Sequence, residues 1–213
     1  MGFGHRDETS FDGVMRLAFR VDGLDDHAGV EVRQRDGELA LTVHGDAPLD
    51  AVSRQVARVV SADHDGDAWA AVCAADPVLE RVHAAAPGFR PSNFYSPYEA
   101  AVWAVLSARR SRVQAIALRR RFSEAHGVMF SLAGRTEAAV PAPQRLLEID
   151  GFPGLPADRI PRLHAIATAA LDGSLDVDRL TGMEPAEAMA ALQRLPGIGP
   201  FYSALIVIRA CGL

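Results

Sequence analysis

The chain has 213 residues, of which 49% are hydrophobic and 23% are charged, and its formal net charge is −5. This length suffices for one large hydrophobic core or two smaller ones. No apolar run reaches the roughly 18 residues of a membrane span, and the first segment, MGFGHRDETSFDG, is too polar for a signal peptide. We therefore expect a soluble cytoplasmic protein that does not enter a membrane.

The charges are unevenly distributed along the chain. Residues 1–90 contain 9 arginines and 16 acidic residues, whereas residues 91–213 contain 13 arginines and 11 acidic residues. Six arginines and no acid fall within residues 100–123, and the sequence has no lysine. The net negative charge therefore does not exclude nucleic acid binding by one face of the protein.

The two cysteines, Cys73 and Cys211, are far apart in sequence and form no CxxC pair. Metal sites and disulfide frameworks need clustered or regularly spaced cysteines. We therefore predict two buried thiols and no metal site.

The first 61 residues have the pattern of a sheet followed by a helix. Apolar and polar residues alternate over residues 14–23, 30–34 and 38–45, and Asp36-Gly37 is a hairpin turn signal. The spacing changes to that of a helix over residues 47–61. The apolar side chains predicted for one face of this helix are Leu49, Val52, Val56, Val59 and Val60. We expect a small antiparallel sheet backed by a helix.

From Asp76 onward the apolar pattern is helical throughout, including the segment TEAAV at residues 136–140. Short connectors with proline and glycine separate the predicted helices. The sequence therefore predicts an α+β fold in two lobes, with an α+β lobe over residues 1–85 and an all-helical lobe over residues 86–213.

The segment LPGIGPF (195–201) has the pattern of a tight turn between two helices. Gly197 and Gly199 allow positive φ angles and close approach to another group, and Pro200 suits the first position of a helix. We predict that Ile198 anchors the turn in the core. Unpaired amides at the start of the second helix, with the positive end of the helix dipole behind them, would bind a phosphate. A plain connection between two helices is the alternative.

This hairpin resembles the helix–hairpin–helix element of the base-excision DNA glycosylase superfamily, and we place the whole element at residues 185–210. The helix pair that opens the helical domain of the 3-methyladenine DNA glycosylase II (AlkA-like) family is similar to SPYEAAVWAVLSARRSRVQAIALRRRFSEAHG. The segment that follows in the family is similar to VPAPQRLLEIDG and RIPRLHAIATAALDGSLDVDRL. The acidic sheet lobe fits the family's N-terminal domain, so the resemblance covers most of residues 40–213.

The resemblance implies a monomer that binds double-stranded DNA and excises alkylated bases of the 3-methyladenine type by hydrolysing the N-glycosidic bond. The residues expected to contact DNA are Gly197, Ile198, Gly199, Phe201, Ser203, Arg109, Arg110 and Arg112. The aromatic residues expected to line a base pocket between the lobes are Tyr95, Trp103, Phe201 and Tyr202. Phe152 or Leu155 is the candidate wedge that fills the gap left by the flipped base. Core packing is the alternative for both wedge candidates and for Trp103.

The sequence differs from the family pattern in two places that matter for activity, the first interhelical turn and the catalytic aspartate. A glutamine of the family's first interhelical turn is replaced by Ala108, and Arg109 and Arg110 have entered that turn. The resemblance places the catalytic aspartate beyond Leu213, together with the last helices of the domain, so the catalytic residue is unknown. The acids of the helical lobe that we considered as substitutes are predicted to be surface or capping residues: Glu99, Glu148 and Asp150.

Two further expectations concern the reaction class. Bifunctional members of the superfamily use a lysine to form a Schiff base, and this chain has no lysine, so we expect no strand cleavage. We expect no cofactor, with a monovalent cation at the hairpin as the one open possibility. The alternatives to a glycosylase are a noncatalytic helix–hairpin–helix DNA-binding protein that lacks the catalytic aspartate, and a protein unrelated to DNA.

Overall fold

The structure, a computed structural model, describes residues 11–86 and 88–213. The N-terminal lobe is built on a three-stranded antiparallel sheet in the order β1-β2-β3. Its elements are β1 (Met15–Arg20), β2 (His27–Arg35), β3 (Glu38–His44) and the helix α1 (Leu49–Val59). The turn between β2 and β3 has Asp36 at φ 51° and Gly37 at φ 85°, as a two-residue hairpin turn requires. The predicted sheet, hairpin turn and helix are confirmed.

Helix α1 covers one face of this sheet and buries Val52, Val56 and Val59. The prediction that Leu49 shares this face is wrong, because Leu49 is the first residue of the helix and is 66% exposed. The core of the lobe is formed by side chains of the sheet and of α1, and it also takes in Tyr95. One face of the sheet, which has β2 in the centre, is therefore stabilised by burial against this helix.

Two helices that pack on each other follow, α2 (Gly66–Ala74) and α3 (Pro77–Ala85). The sequence pattern predicted α3 but not α2, whose low amphipathicity gives no periodic signal. Each helix begins at an aspartate, Asp65 or Asp76, whose side chain accepts hydrogen bonds from backbone amides of the first turn. Cys73 is buried and Cys211, at the end of the last helix, is also buried, and both are free thiols.

The helical lobe contains seven of the helices in the described part of the chain. They are α4 (Pro97–Ser107), α5 (Arg112–His126), α6 (Pro143–Leu147), α7 (Ile160–Leu171), α8 (Val177–Thr181), α9 (Pro185–Leu192) and α10 (Pro200–Ala210). Their buried side chains form one continuous core between Phe94 and Cys211. Among the described residues, no helix is long and apolar enough to cross a membrane.

The prediction of an all-helical C-terminal lobe is wrong at one segment. A hairpin of two short strands, β4 (Met129–Leu132) and β5 (Arg135–Ala138), follows α5 and contains most of the segment that was predicted to be helical. Ala133 and Gly134 adopt positive φ angles and reverse the chain between the strands. The pattern was misleading because TEAAV is too short for helix and strand periods to be distinguished.

The β4–β5 hairpin packs on the N-terminal sheet although it follows α5 in sequence. The Arg16 Nε group donates a hydrogen bond to the Leu132 carbonyl at 2.9 Å, and the Ala133 amide donates to Glu31 Oε1 at 2.8 Å. A Cβ atom at Gly29 would lie 2.6 Å from the Phe130 ring, so this glycine makes the close contact possible. The chain therefore returns to the sheet once before the helical lobe is completed.

A buried ion pair of the helical lobe is hydrogen-bonded to the sheet lobe at the start of α4. Arg119 Nη2 lies 3.1 Å from Glu99 Oε2, and the Arg20 amide of β1 donates to Glu99 Oε1 at 3.4 Å. Burial raises the pKa of the Glu99 carboxyl to about 7, and the Arg119 guanidinium opposes part of that rise. A second link is made by Arg58 of α1, which donates to Asp22 at 2.5 Å and to the Ala210 carbonyl at 3.1 Å.

Candidate nucleic-acid interface

The turn between α9 and α10 is fixed by hydrogen bonds and by one buried side chain. After α9 ends, the Leu195 amide donates to the Leu192 carbonyl at 3.0 Å, and the Ile198 amide donates to the Leu195 carbonyl at 3.0 Å. Ile198 is only 4% exposed and belongs to the helical core. The prediction that Ile198 anchors the turn is therefore confirmed, and its side chain lies inside rather than toward an outside ligand.

The two glycines of the turn differ in conformation. Gly197 has φ 93°, which favours glycine, but Gly199 has φ −95° and ψ −174°, an extended conformation that any residue adopts. The prediction of positive φ at both glycines is thus wrong for Gly199. A Cβ atom at position 199 would meet no protein atom within 4 Å. Neither backbone strain nor packing within the described protein explains a glycine at this position.

The amides of this turn and of the first turn of α10 are available to an outside acceptor. Within the described residues, no hydrogen bond is found for the backbone amides of Gly197, Gly199 and Phe201. Gly199 is the N-cap of α10 and has no side chain to satisfy the amides that follow. Because the positive end of an 11-residue helix lies behind these amides, the arrangement favours an anion.

Ser203 is not available to an outside ligand, contrary to the prediction that it contacts DNA. Its side chain is fully buried and its hydroxyl donates to the Pro200 carbonyl at 3.0 Å. Its amide donates to the Gly199 carbonyl at 2.9 Å and so forms the first hydrogen bond of α10. Ser203 therefore stabilises the helix start instead of extending the anion site.

The three arginines at the turn between α4 and α5 differ in exposure and in hydrogen bonding. Arg109 is exposed and adopts φ 59°, a left-handed conformation that reverses the chain. Arg110 Nη2 donates to the Gly154 carbonyl at 2.5 Å, so this arginine holds the 152–155 loop. Arg112 is exposed at the first position of α5, which begins with the predicted capping box of Ser111 and Gln114. Arg109 and Arg112 thus present charge to solvent.

A hydrogen bond between two hydroxyl groups brings the arginine turn next to the hairpin. Ser107 Oγ, at the last position of α4, lies 3.0 Å from Tyr202 Oη in the first turn of α10. The 152–155 loop joins the same region through Arg110. The start of α10, the end of α4 and this loop therefore form one end of the helical lobe, which we call the hairpin end.

The four aromatic residues predicted for a base pocket are not brought together. Phe201 is 71% exposed and lies edge-on to Tyr202, with ring centroids 5.2 Å apart. Trp103 is partly buried against the helical core. Tyr95 is 6% exposed, and its ring packs on Phe19 in the core of the sheet lobe. Phe201 and Tyr202 remain as neighbouring aromatic residues at the hairpin end, and Tyr95 presents no open ring face there.

The two wedge candidates are engaged in packing. The Phe152 ring contacts Phe122 edge-on at 5.2 Å and also contacts His126 at 5.5 Å. Leu155 is 9% exposed and belongs to the helical core. These contacts fit the alternative prediction for Phe152 and Leu155, which is core packing, because the loop that carries both residues folds back onto α5.

The acids of the helical lobe have different environments. Glu99 is buried, so the prediction of a surface or capping acid is wrong for this residue. Its position in the third residue of α4 directs it toward β1 and α5, where Arg119 pairs with it. Glu148 pairs with Arg145 at 2.6 Å on the surface, and Asp150 is exposed. Sequence pattern alone could not distinguish Glu99, because its partner is 20 residues away on another helix.

A cavity of about 540 Å³ lies between the lobes. It is lined by charged residues of both lobes, including Arg20, Asp22, Arg58 and Asp176, and by Tyr98. None of the four predicted pocket aromatics lines it in the described residues. The hairpin end and this polar cavity are therefore separate features.

One residue at the hairpin end was not predicted from the sequence. The Arg162 side chain of α7 crosses the turn at Gly197, where a Cβ atom would lie 3.1 Å from Arg162 Cδ. Arg162 is paired with Asp158 at 2.9 Å, one helical turn earlier. The spacing of four residues indicates this ion pair, but no sequence pattern places it against a turn 35 residues away.

The chain is similar to known proteins in sequence and in fold. It matches the Mycobacterium tuberculosis protein described as a probable bifunctional transcriptional activator/DNA repair enzyme AlkA with 31% identity over 157 residues, which are 73% of this chain and 31% of the relative. The chain thus spans about a third of the length of the curated relatives it matches. No family model matches the chain.

Two solved structures of related fold cover most of the chain. The 3-methyladenine DNA-glycosylase from Archaeoglobus fulgidus aligns with a TM-score of 0.73 and 20% identity, over 95% of this chain and 70% of that chain. An 8-oxoguanine glycosylase/lyase from Clostridium acetobutylicum, in complex with double-stranded DNA, aligns with a TM-score of 0.63 and 17% identity, over 88% of this chain and 66% of that chain. In its LPGIG hairpin, its fold and its sequence relatives, the chain is similar to AlkA-like proteins of the helix–hairpin–helix base-excision DNA glycosylase superfamily.

Proposed function

We propose that this protein is a DNA repair glycosylase of the alkylation-damage class, which binds duplex DNA as a cytoplasmic monomer and hydrolyses the N-glycosidic bond of a 3-methyladenine-type base. The sequence relatives are described as DNA repair enzymes, and a neighbour in fold is a 3-methyladenine glycosylase. Because the chain matches only part of its sequence relatives, the proposal depends first on the hairpin end itself.

The observation that carries the proposal is the glycine at position 199. Ser, Asp and Asn are better N-caps than Gly, and the extended backbone at 199 is the conformation in which such caps work. No conformational or packing requirement within the described residues demands Gly199. A glycine here leaves the amide of Phe201 without a side-chain cap, next to the unbonded amide of Gly199. Backbone that approaches a phosphate closely requires such uncovered amides.

The other exposed groups of the hairpin end suit a nucleic acid. A phosphate held by backbone amides fixes the position of the DNA without reading its sequence. The exposed side chains of Arg109 and Arg112 add charge that attracts the DNA backbone. The exposed ring of Phe201 provides a surface on which an extrahelical base can stack.

Base release needs one further group. Cleavage of the N-glycosidic bond develops positive charge on the sugar, and a carboxylate near that charge lowers the barrier. Glu99 is buried in its pair with Arg119, and Glu148 is engaged with Arg145. Asp150 is exposed, so the engagement concerns Glu99 and Glu148. It favours a second candidate function, a DNA-binding protein that does not cleave the glycosidic bond.

One pair of assays distinguishes these functions. Release of 3-methyladenine and 7-methylguanine from alkylated duplex DNA is measured beside binding to a duplex that carries an abasic-site analogue, at several salt concentrations. Base release together with salt-sensitive binding supports the glycosylase. Salt-sensitive binding without base release supports the noncatalytic protein, and the absence of binding at low salt contradicts both.

A further inference from the structure

Arg162 lies directly against the hairpin turn. An ideal Cβ atom at Gly197 would be 3.1 Å from Arg162 Cδ, 3.6 Å from Nη1 and 3.9 Å from Cγ. The aliphatic stem and the guanidinium of Arg162 therefore occupy the space above the exposed backbone of Gly197. The left-handed backbone of Gly197 excludes a side chain by strain, and the Arg162 stem excludes it by contact.

The guanidinium of Arg162 retains capacity to bind another group. Its side chain is 35% exposed, and its ion pair with Asp158 joins Nη2 to one carboxylate oxygen at 2.9 Å. An arginine has five N–H donors in a planar fork. Asp158 is itself 59% exposed and also lies 3.7 Å from Arg159 Nε. Exposed pairs of this kind contribute little free energy, so an incoming anion can compete for the guanidinium.

We propose that Arg162 is a side-chain ligand for the same DNA phosphate that the hairpin amides bind, and that Asp158 holds the guanidinium in place when no DNA is bound. This inference rests on the proposed DNA binding by the hairpin. Backbone amides supply partial positive charge and direction, but they carry no full charge of their own. Arg162 adds a full charge and a fork that can contact two phosphate oxygens.

The same arrangement explains why the charge is placed on α7 rather than in the turn. A cationic side chain at position 197 is excluded by the backbone, and one at position 199 would cover the amides. Arg162 reaches the turn from a neighbouring helix and leaves the amides of Gly199 and Phe201 uncovered. The hairpin end thus combines a backbone anion site with a charge supplied from outside the hairpin.

The test compares Arg162 with a matched ion pair elsewhere. Arg54 and Asp50 of α1 have the same spacing in sequence and the same separation of 2.9 Å, and they lie in the sheet lobe. The variants are Arg162→Gln, which keeps a polar stem over Gly197 without the charge, Arg162→Lys, which keeps the charge, and Arg54→Gln as the control. Binding to a duplex with an abasic-site analogue is measured from low to high salt, and melting temperatures are measured in parallel.

We expect Arg162→Gln to weaken binding roughly tenfold at low salt, as loss of a charge-assisted contact does. The slope of log K against log salt should become shallower by about 0.9, the value for one phosphate contact on duplex DNA. Arg162→Lys should recover part of the affinity and the full slope, and Arg54→Gln should match the wild type.

The outcomes separate this inference from the proposed function. If the wild-type protein does not bind the duplex, the DNA-binding function fails and the inference fails with it. If the wild type binds and Arg162→Gln has the same affinity and slope as Arg54→Gln, the hairpin still binds DNA but Arg162 is not a ligand. A lower melting temperature of Arg162→Gln with an unchanged salt slope likewise assigns Arg162 a packing role and overturns the inference.

Discussion

Ser107 Oγ and Tyr202 Oη lie 3.0 Å apart, and this hydrogen bond ties the last residue of α4 to the first turn of α10. Ser107 precedes the turn that carries Arg109, and Tyr202 follows the glycines of the hairpin. This polar contact adds to the packing of α4 against α10 in fixing the arginine turn relative to the anion site. Both residues are on rigid helices, so the hydrogen bond helps to fix the end of α4 relative to the start of α10.

Replacing Tyr202 with Phe should therefore affect both stability and DNA binding. The ring stays and the hydroxyl is lost, so the free energy of unfolding should fall by about 1 kcal/mol. DNA affinity should fall as well, because the arginine turn is held less firmly against the hairpin. Thr181→Val is the control, since the Thr181 hydroxyl bonds only to backbone carbonyls of its own helix. A Tyr202→Phe protein that binds DNA as tightly as the wild type would show that the contact does not position the arginines.

The two glycines of the hairpin should respond in opposite ways to substitution. Gly197→Ala should destabilise the protein by about 1–2 kcal/mol, because φ 93° is strained for alanine and the new Cβ meets Arg162. Gly199→Ser should leave the melting temperature unchanged or raise it, because serine is a favoured N-cap at an extended backbone. Thermal unfolding of both variants checks this difference. Equal destabilisation by the two substitutions is the contrary result.

Arg110 and Arg112 are neighbours in sequence but should have different roles. Arg112→Ala should leave stability unchanged and weaken DNA binding at low salt, because the side chain is exposed at the start of α5. Arg110→Ala should lower the melting temperature, because the hydrogen bond to the Gly154 carbonyl is lost. Melting curves and salt titrations of both variants give the comparison. If Arg110→Ala changes only DNA affinity, the role assigned to its contact with Gly154 is wrong.

The buried Glu99 should make stability depend on pH. Its pKa is raised from 4.5 to about 7 by burial, so between these values the folded state binds more protons than the unfolded state. The free energy of unfolding should therefore fall as pH rises through this window, and the contribution of a protonated Glu99 is fully present only below about 4.5. Denaturant unfolding from pH 4 to 8 measures this dependence.

Glu99→Gln is the control for that experiment. A glutamine does not titrate, so the difference in stability between wild type and variant should vary across the same pH window. Arg119→Met should destabilise the protein strongly at pH 8, by about 3–5 kcal/mol, because it leaves a buried carboxylate without its partner. A difference between wild type and Glu99→Gln that is constant with pH would mean that folding does not shift the pKa of Glu99.

The parts of the fold that could be predicted are those with a local signal. Alternation in the strands, the Asp36-Gly37 turn and the Ser111 capping box each depend on residues close together in sequence. The β4–β5 hairpin was missed because its strands are only four residues long and are held by contacts with the distant sheet, through Arg16 and Glu31. Tertiary contacts of this kind leave no periodic trace in the sequence.

The same distinction applies to the candidate site. The position of the hairpin and the burial of Ile198 follow from LPGIG alone. The inward direction of Ser203 and the burial of Tyr95 could not be predicted, because each depends on which face of an element meets the core. Arg162 could not be predicted for a further reason: its contact with Gly197 joins α7 to the turn after α9, and both α8 and α9 lie between them in sequence.

The central claim is that uncovered backbone amides at Gly199 bind a DNA phosphate, and Gly199→Ser tests it most directly. A serine hydroxyl there would accept a hydrogen bond from an amide of the first turn and take the space that a phosphate needs. Affinity for a duplex with an abasic-site analogue is measured for the wild type and for Gly199→Ser at one low salt concentration. We predict that the variant binds at least roughly tenfold more weakly while its melting temperature is equal or higher. Unchanged affinity in a fully folded Gly199→Ser protein would contradict the account.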